Sequence, residues 1–237
     1  MMFDWSAQRL LVIAPHPDDE VLGCGGLMHK AKSAGAEVYL QFLTVGDTAD
    51  ISAKGFSTAD ERVGEIKAVA DHFRWDDWHI AFPGDDYHLR LDAVPRFEVA
   101  NMIERLSPLS VANVEPTVVL APHRLSYNQD HQAAAEAVHT ALRPSDTRLR
   151  HHPRLVLAYE EAADQWRNEP TTAPNLLVEL DQAAVDAKIA AMRLYGSQFH
   201  DHPHTRSELT LQSLSVLRGM QGGVAFAEGY HAMRWLV

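Results

Sequence analysis

"RLLVIAPHPDDEVLGCGG" (residues 9–26) runs from an uninterrupted apolar stretch into a histidine, three consecutive acids and then Gly-Cys-Gly-Gly. The apolar part, 9–15, reads as a parallel strand buried on both faces. One acid beyond its end would serve as a helix cap. Three carboxylates in a row, with His16 beside them, repel one another unless a positive partner sits among them.

The pattern repeats outward from this strand. Further strands are expected at 38–47, 78–83, 117–123 and 154–160, with an edge strand at 175–181. Helices are expected at 26–37, ending at Gly35, and at 58–73, where Thr58 and Glu61 are spaced like a capping box. Others fall at 95–106, with an apolar stripe of Phe97, Met102, Ile103 and Leu106, and at 130–144, 183–198 and 209–220. Strand and helix alternate, which predicts a Rossmann-like α/β fold with a mostly parallel sheet and helices on both faces. No repeat or long linker divides the chain, so residues 1–237 read as a single domain.

Composition narrows the partners. The 237 residues include 21 basic and 32 acidic ones, a net charge of −11, and 46% are apolar. A chain this acidic repels nucleic acid and anionic lipid. No apolar run approaches the roughly 18 residues of a membrane span, and the N-terminal stretch lacks a signal peptide's basic region. With Cys24 as the only cysteine, neither an intramolecular disulfide nor a cysteine-rich zinc cluster can form. A cytoplasmic location is expected. The exposed loops allow homo-oligomer contacts, although no patch identifies one.

A dinucleotide-binding turn is a poor reading of 9–26. Met28 stands where the third glycine is needed, and three carboxylates would face a pyrophosphate. A metal site uses every residue. Imidazole and carboxylate are good zinc ligands, and a catalytic zinc keeps three protein ligands and an open position. His16 and Asp19, three apart on a turn stiffened by Pro17, can both reach one ion. A third ligand is expected from "APHRLSYNQDHQ" (121–132), which has the same layout of apolar run, Ala-Pro-His, polar loop and helix. His131 is the better candidate there and His123 its rival.

Together these two segments resemble the PIG-L/LmbE-like family of zinc-dependent N-deacetylases. Pro15 to Gly26 matches its His-Pro-Asp-Asp-Glu motif with the glycine-rich turn, and Asp130-His131 matches its downstream Asp-His. Arg62 and Glu65 look like the family's Arg-x-x-Glu helix, and "RPS", "YEE" (159–161) and "YGSQ" (195–198) add smaller echoes. The resemblance implies that His16, Asp19 and His131 bind zinc, or another divalent transition metal, and that Asp18 is the general base. It implies hydrolysis of an N-acyl group, acetyl foremost, from an N-acetylglucosamine-type sugar or glycoconjugate.

One departure bears on mechanism. Sugar deacetylases of thiol biosynthesis carry His-Pro-Asp-His where this chain has Asn128-Gln129-Asp130-His131. Asn128 can donate a hydrogen bond to an oxyanion but cannot act as a general acid, which favours Asp18 as both base and acid. Asp130 is a candidate to orient a ligand histidine. For the substrate, Arg62 and Arg206 are candidate anion receptors and Tyr127 or Ser126 a candidate oxyanion donor. Trp75, Trp78, Tyr87 and Trp166 are candidate sugar-stacking rings, and His200, His202 and His204 mark a lid or surface loop. The competing functions are a metallo-phosphoesterase, which needs two metals about 4 Å apart, and a non-enzymatic ligand-binding module that retains the metal site.

Overall fold

The computed structural model describes residues 3–50, 54–166 and 173–236. Its main strands are β1 (Arg9–Ala14), β2 (Glu37–Val45), β5 (Asp77–Pro83), β6 (Val118–Pro122), β7 (Leu155–Tyr159), β8 (Leu176–Leu180) and β9 (Phe226–Trp235). They form one seven-stranded sheet in the order β5-β2-β1-β6-β7-β9-β8. A separate two-residue hairpin pairs β3 (Thr48–Ala49) with β4 (Phe56–Ser57). Strands β5, β2, β1, β6 and β7 are mutually parallel, whereas β9 runs antiparallel to both its neighbours.

Helices cover both faces. Apolar residues of α1 (Asp19–Ala34), α2 (Ala59–Phe73), α6 (Gln182–Leu194) and α7 (Glu208–Gly222) share one core with Leu10 and Val12 of β1. Those of α3 (Arg96–Asn101), α4 (Val111–Val114) and α5 (Gln129–Ala141) form the other with Leu11 and Ile13. Alternate residues of β1 thus feed two cores, as the continuous apolar run requires. From β1 the chain first builds outward through β2 and β5, then returns to lay β6 and β7 on the other side. This reversal makes the carboxyl ends of β1 and β6 a topological switch point, where diverging loops leave a crevice.

Helix α1 begins at Asp19, seven residues ahead of the expected start, and ends as expected at Gly35, whose φ is 102°. The glycines lie inside the helix because it packs too closely for side chains. A Cβ at Gly23 would stand 2.2 Å from the Tyr159 ring, and one at Gly26 would stand 2.4 Å from Leu180 Cδ1. The helix is irregular at Cys24, with φ −147°. Beside this break the Gly26 and Leu27 N–H groups donate to the buried Glu228 carboxylate at 2.9 and 2.8 Å. Lys188 and Tyr230 donate to the same carboxylate at 2.7 and 2.8 Å. These glycines serve contact with the sheet, which leaves no use for the dinucleotide reading.

Three expectations change. The 95–106 segment divides into α3 and a π-turn over 102–106, and the widened turn rotates the stripe. Ile103 is buried, but Phe97 and Leu106 are 64% and 65% exposed, and Val99 and Ala100 face the core instead. The 183–198 helix ends at Leu194, leaving Tyr195–Gln198 as a turn. Strand β9 is missing from the sequence reading. Among the described residues no helix is long and apolar enough to cross a membrane.

Gly23→Ala is expected to destabilise the protein by about 1–3 kcal/mol, the usual penalty of overpacking, because the Tyr159 ring is held by its hydroxyl on the Ile13 carbonyl at 3.1 Å. Chemical denaturation of the variant beside the unsubstituted protein measures this.

Candidate active site

His16 lies just beyond β1, and His131 lies in the first turn of α5, which follows β6. The crevice between these strands brings both against Asp19, the first residue of α1. One donor atom from each of His16, Asp19 and His131 falls within 4.8 Å of the other two, and all three residues are buried. Asp19 Oδ2 lies 3.2 Å from His131 Nε2 and 3.5 Å from His16 Nδ1, and it accepts the His16 backbone N–H at 2.8 Å.

The other His16 nitrogen is committed elsewhere. Its Nε2 pairs with Asp130 Oδ2 at 2.9 Å, while Asp130 Oδ1 accepts the Leu91 N–H at 2.9 Å. Once His16 is neutral, this pairing keeps its proton on Nε2 and leaves Nδ1, on the Asp19 side, free to bind a metal. Two imidazoles and one carboxylate, converging on one point, are a donor set suited to a divalent transition metal.

The three acids separate by partner. Burial opposes the ionisation of Asp19, but His131 and His16 outweigh it and hold Asp19 well below the usual carboxylate range. Burial likewise opposes the charging of His16, yet Asp130 and Asp19 raise it to about 9. Glu20 turns inward, accepting Tyr195 Oη at 2.6 Å and the Asp18 N–H at 3.1 Å. Burial raises it to about 8, so it holds a proton at neutral pH and adds no charge. Asp18 faces two arginines: its Oδ2 is 3.0 Å from Arg206 Nε and its Oδ1 is 3.7 Å from Arg62 Nη2. Burial pushes its carboxyl above the ordinary range, partly offset by Arg206. Arg206, Arg62 and the charged His16 are the positive partners that three adjacent acids require.

A cavity of about 140 Å³ opens onto the site, lined by His16, Asp19, His131, Tyr127, Asn128 and Arg206, among others. Tyr127 stands at its rim, 58% exposed. Asn128 lines it while its side-chain oxygen caps α5, accepting the Asp130 N–H at 2.9 Å. Ser126 is buried, and its hydroxyl accepts the Asn128 N–H at 3.2 Å.

Arg62 departs from its expected role as an anion receptor. It is 3% exposed and donates to the Pro17 carbonyl, to Ser197 Oγ at 2.8 Å and to Glu65 Oε2 at 3.0 Å, so its guanidinium is bound within the protein. His123 is directed away, its ring 4.3 Å from that of His231 on β9. Trp75 and Trp78 pack against Phe42 in the core, and Tyr87 packs on Phe82. Trp166 is 82% exposed. His204 reaches the cavity and stacks edge-on with His200, but no three-donor group among the described residues includes His200, His202 or His204.

Sequence reasoning missed Glu161 and Asp164. Both line the cavity, and with His131 they form a second three-donor group. Glu161 Oε1 lies 3.9 Å from His131 Nδ1. The available signal was position, since "YEE" falls at the carboxyl end of β7, where the crevice opens. A neutral imidazole has one lone pair, so His131 serves one ion at a time, through Nε2 towards Asp19 or through Nδ1 towards Glu161. The chain therefore lacks a pair of independent metal centres in this cavity among the described residues.

Comparison with known proteins agrees with the motifs. The diacetylchitobiose deacetylase of Thermococcus kodakarensis is 28% identical over 229 residues, 94% of this chain and 82% of that protein. A conserved protein of Thermus thermophilus has the same fold at a TM-score of 0.70 and 26% identity, over 100% of this chain and 97% of that one. The N,N'-diacetylchitobiose deacetylase of Pyrococcus horikoshii shares the fold at a TM-score of 0.68 and 22% identity, over 95% and 84% of the two chains. The PIG-L family, described as GlcNAc-PI de-N-acetylase, matches residues 11–142, more than half of the sequence and the part that contains both motifs. The chain belongs to the PIG-L family.

Proposed function

We propose that this protein is a zinc-dependent N-deacetylase acting on N-acetylglucosamine-type sugars or their conjugates. The observation that carries the reading is the convergence of His16, Asp19 and His131, with Asp18 beside them, outside that donor set and paired with Arg206 of the cavity wall. Family membership and the deacetylase relative supply the acetyl-sugar substrate class. The described residues offer no second independent donor set, which argues against a two-metal phosphoesterase. A further carboxylate held in place beside three complete ligands argues against a module that only binds metal.

His16, Asp19 and His131 would hold the metal, which supplies Lewis acidity when bound, polarising a carbonyl and drawing the pKa of a water towards about 7. Asp130 keeps His16 in the tautomer that presents Nδ1. Asp18 takes the proton of the water that attacks the amide carbon. The C–N bond then breaks, acetate forms, and Asp18 returns the proton to the departing amine, so one carboxylate serves as base and acid. The Asn128 amide N–H and the Tyr127 hydroxyl, on residues that line the cavity, would donate to the charge developing on the carbonyl oxygen. Arg206 orders Asp18 and adds positive potential to the wall. A cytoplasmic location is part of this proposal and fits a chain with one buried free cysteine.

The direct test is release of acetate and primary amine, in equal amounts, from N-acetylglucosamine, diacetylchitobiose and larger conjugates by zinc-loaded protein. Asp18→Asn is expected to retain one metal per chain while losing at least about 100-fold in turnover, within the usual range for a lost general base. His131→Ala is expected to lose both metal and activity, measured as bound zinc after gel filtration. Full activity in Asp18→Asn would contradict the mechanism.

Metal uptake also has a proton signature. With a folded pKa of about 9 in the metal-free protein, His16 is protonated at pH 7 and must give up that proton to become a ligand. Zinc titration by calorimetry in buffers of different ionisation enthalpy is expected to show release of about one proton per chain at pH 7, falling as the pH is raised through about 9.

A further inference from the structure

Asp18 is held in a conformation that its own chemistry does not favour. Its φ is 106°, in the region that side chains other than glycine rarely adopt, and such a residue persists only where its surroundings over-determine it. Much of what surrounds it leads back to the turn after α6, Tyr195-Gly196-Ser197-Gln198.

Tyr195 donates to Glu20 at 2.6 Å, and the other Glu20 oxygen accepts the Asp18 backbone N–H at 3.1 Å. Ser197 accepts Arg62 Nη1 at 2.8 Å, and the same guanidinium donates through Nη2 to the Pro17 carbonyl, immediately before Asp18. Glu65 accepts the Ser197 N–H at 2.7 Å and its hydroxyl at 2.9 Å, closing the arginine's cage. Gln198, 6% exposed, accepts Arg206 Nη1 on Oε1 at 2.6 Å and donates through Nε2 to Ser197 Oγ at 3.2 Å. Arg206 Nε then meets Asp18 Oδ2 at 3.0 Å. Three side chains of one turn thus reach the Asp18 backbone N–H, the preceding carbonyl and the carboxylate itself.

We infer that Gln198 is a positioning residue for the reaction: by fixing Arg206 it holds the Asp18 carboxylate in the orientation needed to take the proton of the attacking water. Gln198 itself is absent from the cavity lining, so it acts through Arg206. An arginine on a loop carries several free torsions, and the short bond to a buried amide oxygen removes that freedom before substrate arrives. This rests on the assignment of Asp18 as the base.

The test is a double-mutant cycle on zinc-loaded protein. Gln198→Met, which keeps the volume and removes the acceptor, is expected to lower kcat by about 10–100-fold, the scale associated with small misplacements of a reacting group. KM, zinc content and melting temperature should remain near those of the unsubstituted protein. Gln198→Glu, which retains an acceptor for Arg206, should restore kcat to within a few-fold. In an Asp18→Asn background Gln198→Met should change the residual rate by less than about two-fold, since residues acting through one another are not additive. Should Gln198→Met fail to fold, Gln198→Asn, which withdraws the acceptor by one methylene, takes its place in the cycle. An equal loss in both backgrounds, or no loss in the first, would overturn the inference while leaving Asp18 as the base. A fully active Asp18→Asn would instead remove the base assignment itself.

Discussion

Asp19 between two imidazoles is the interaction on which the rest of the site depends. A carboxylate this buried is stable as an anion only with compensating polar partners against it, and two ring nitrogens meet Asp19 from different parts of the sheet. His16 comes from the end of β1 and His131 from the helix after β6, with Nε2 of the latter 3.2 Å from Asp19. Once Asp19 is committed in this way its neighbours must find other partners. Asp18 turns to Arg206 and Arg62, and Glu20 turns into the core towards Tyr195, where burial keeps it protonated. Three consecutive acids thereby take three different roles without confronting one another.

Topology makes this convergence available. In a sheet wound outward in both directions from β1, the loops after β1 and β6 leave in opposite senses and open a crevice between them. The close approach of α1 to the sheet, made possible by glycines at positions 23 and 26, sets Asp19 at that opening. Glu228 of β9, itself held by Lys188 of α6, accepts the backbone N–H groups of the irregular part of the same helix. The His-Pro-Asp-Asp-Glu segment is therefore supported from elements far downstream in sequence, which explains why the antiparallel end of the sheet matters to a site built on its parallel half.

Much of this was legible in the residues. The apolar run at 10–14 indicates a doubly covered central strand, and the pairing of His16 with Asp19 follows from their spacing on a stiff turn. His131 and His123 were harder to separate, because they stand at the two ends of one short polar loop, between β6 and α5. The structure distinguishes them through His231, on a strand that sequence reading missed. That strand, "FAEGYHAMRW", interrupts its apolar residues with a glutamate and a glycine, and Glu228 is there to accept hydrogen bonds from α1. Arg62 illustrates the same limit. Its i,i+3 partner Glu65 was visible on a helix, but the Pro17 carbonyl, 45 residues away, was not. Long-range contacts to backbone carbonyls leave no trace in spacing, and it is those contacts that turn an apparent substrate arginine into part of the scaffold.

The most direct measurement of the central claim is an anomalous difference map at the zinc absorption edge, from crystals of the protein loaded with one equivalent of zinc. The account predicts a single peak per chain, about 2.0–2.1 Å from His16 Nδ1 and His131 Nε2 and in bonding distance of Asp19, with the Asp18 carboxylate facing it but unbound. A peak between His131, Glu161 and Asp164, or density bound to Asp18 in place of Asp19, would contradict it.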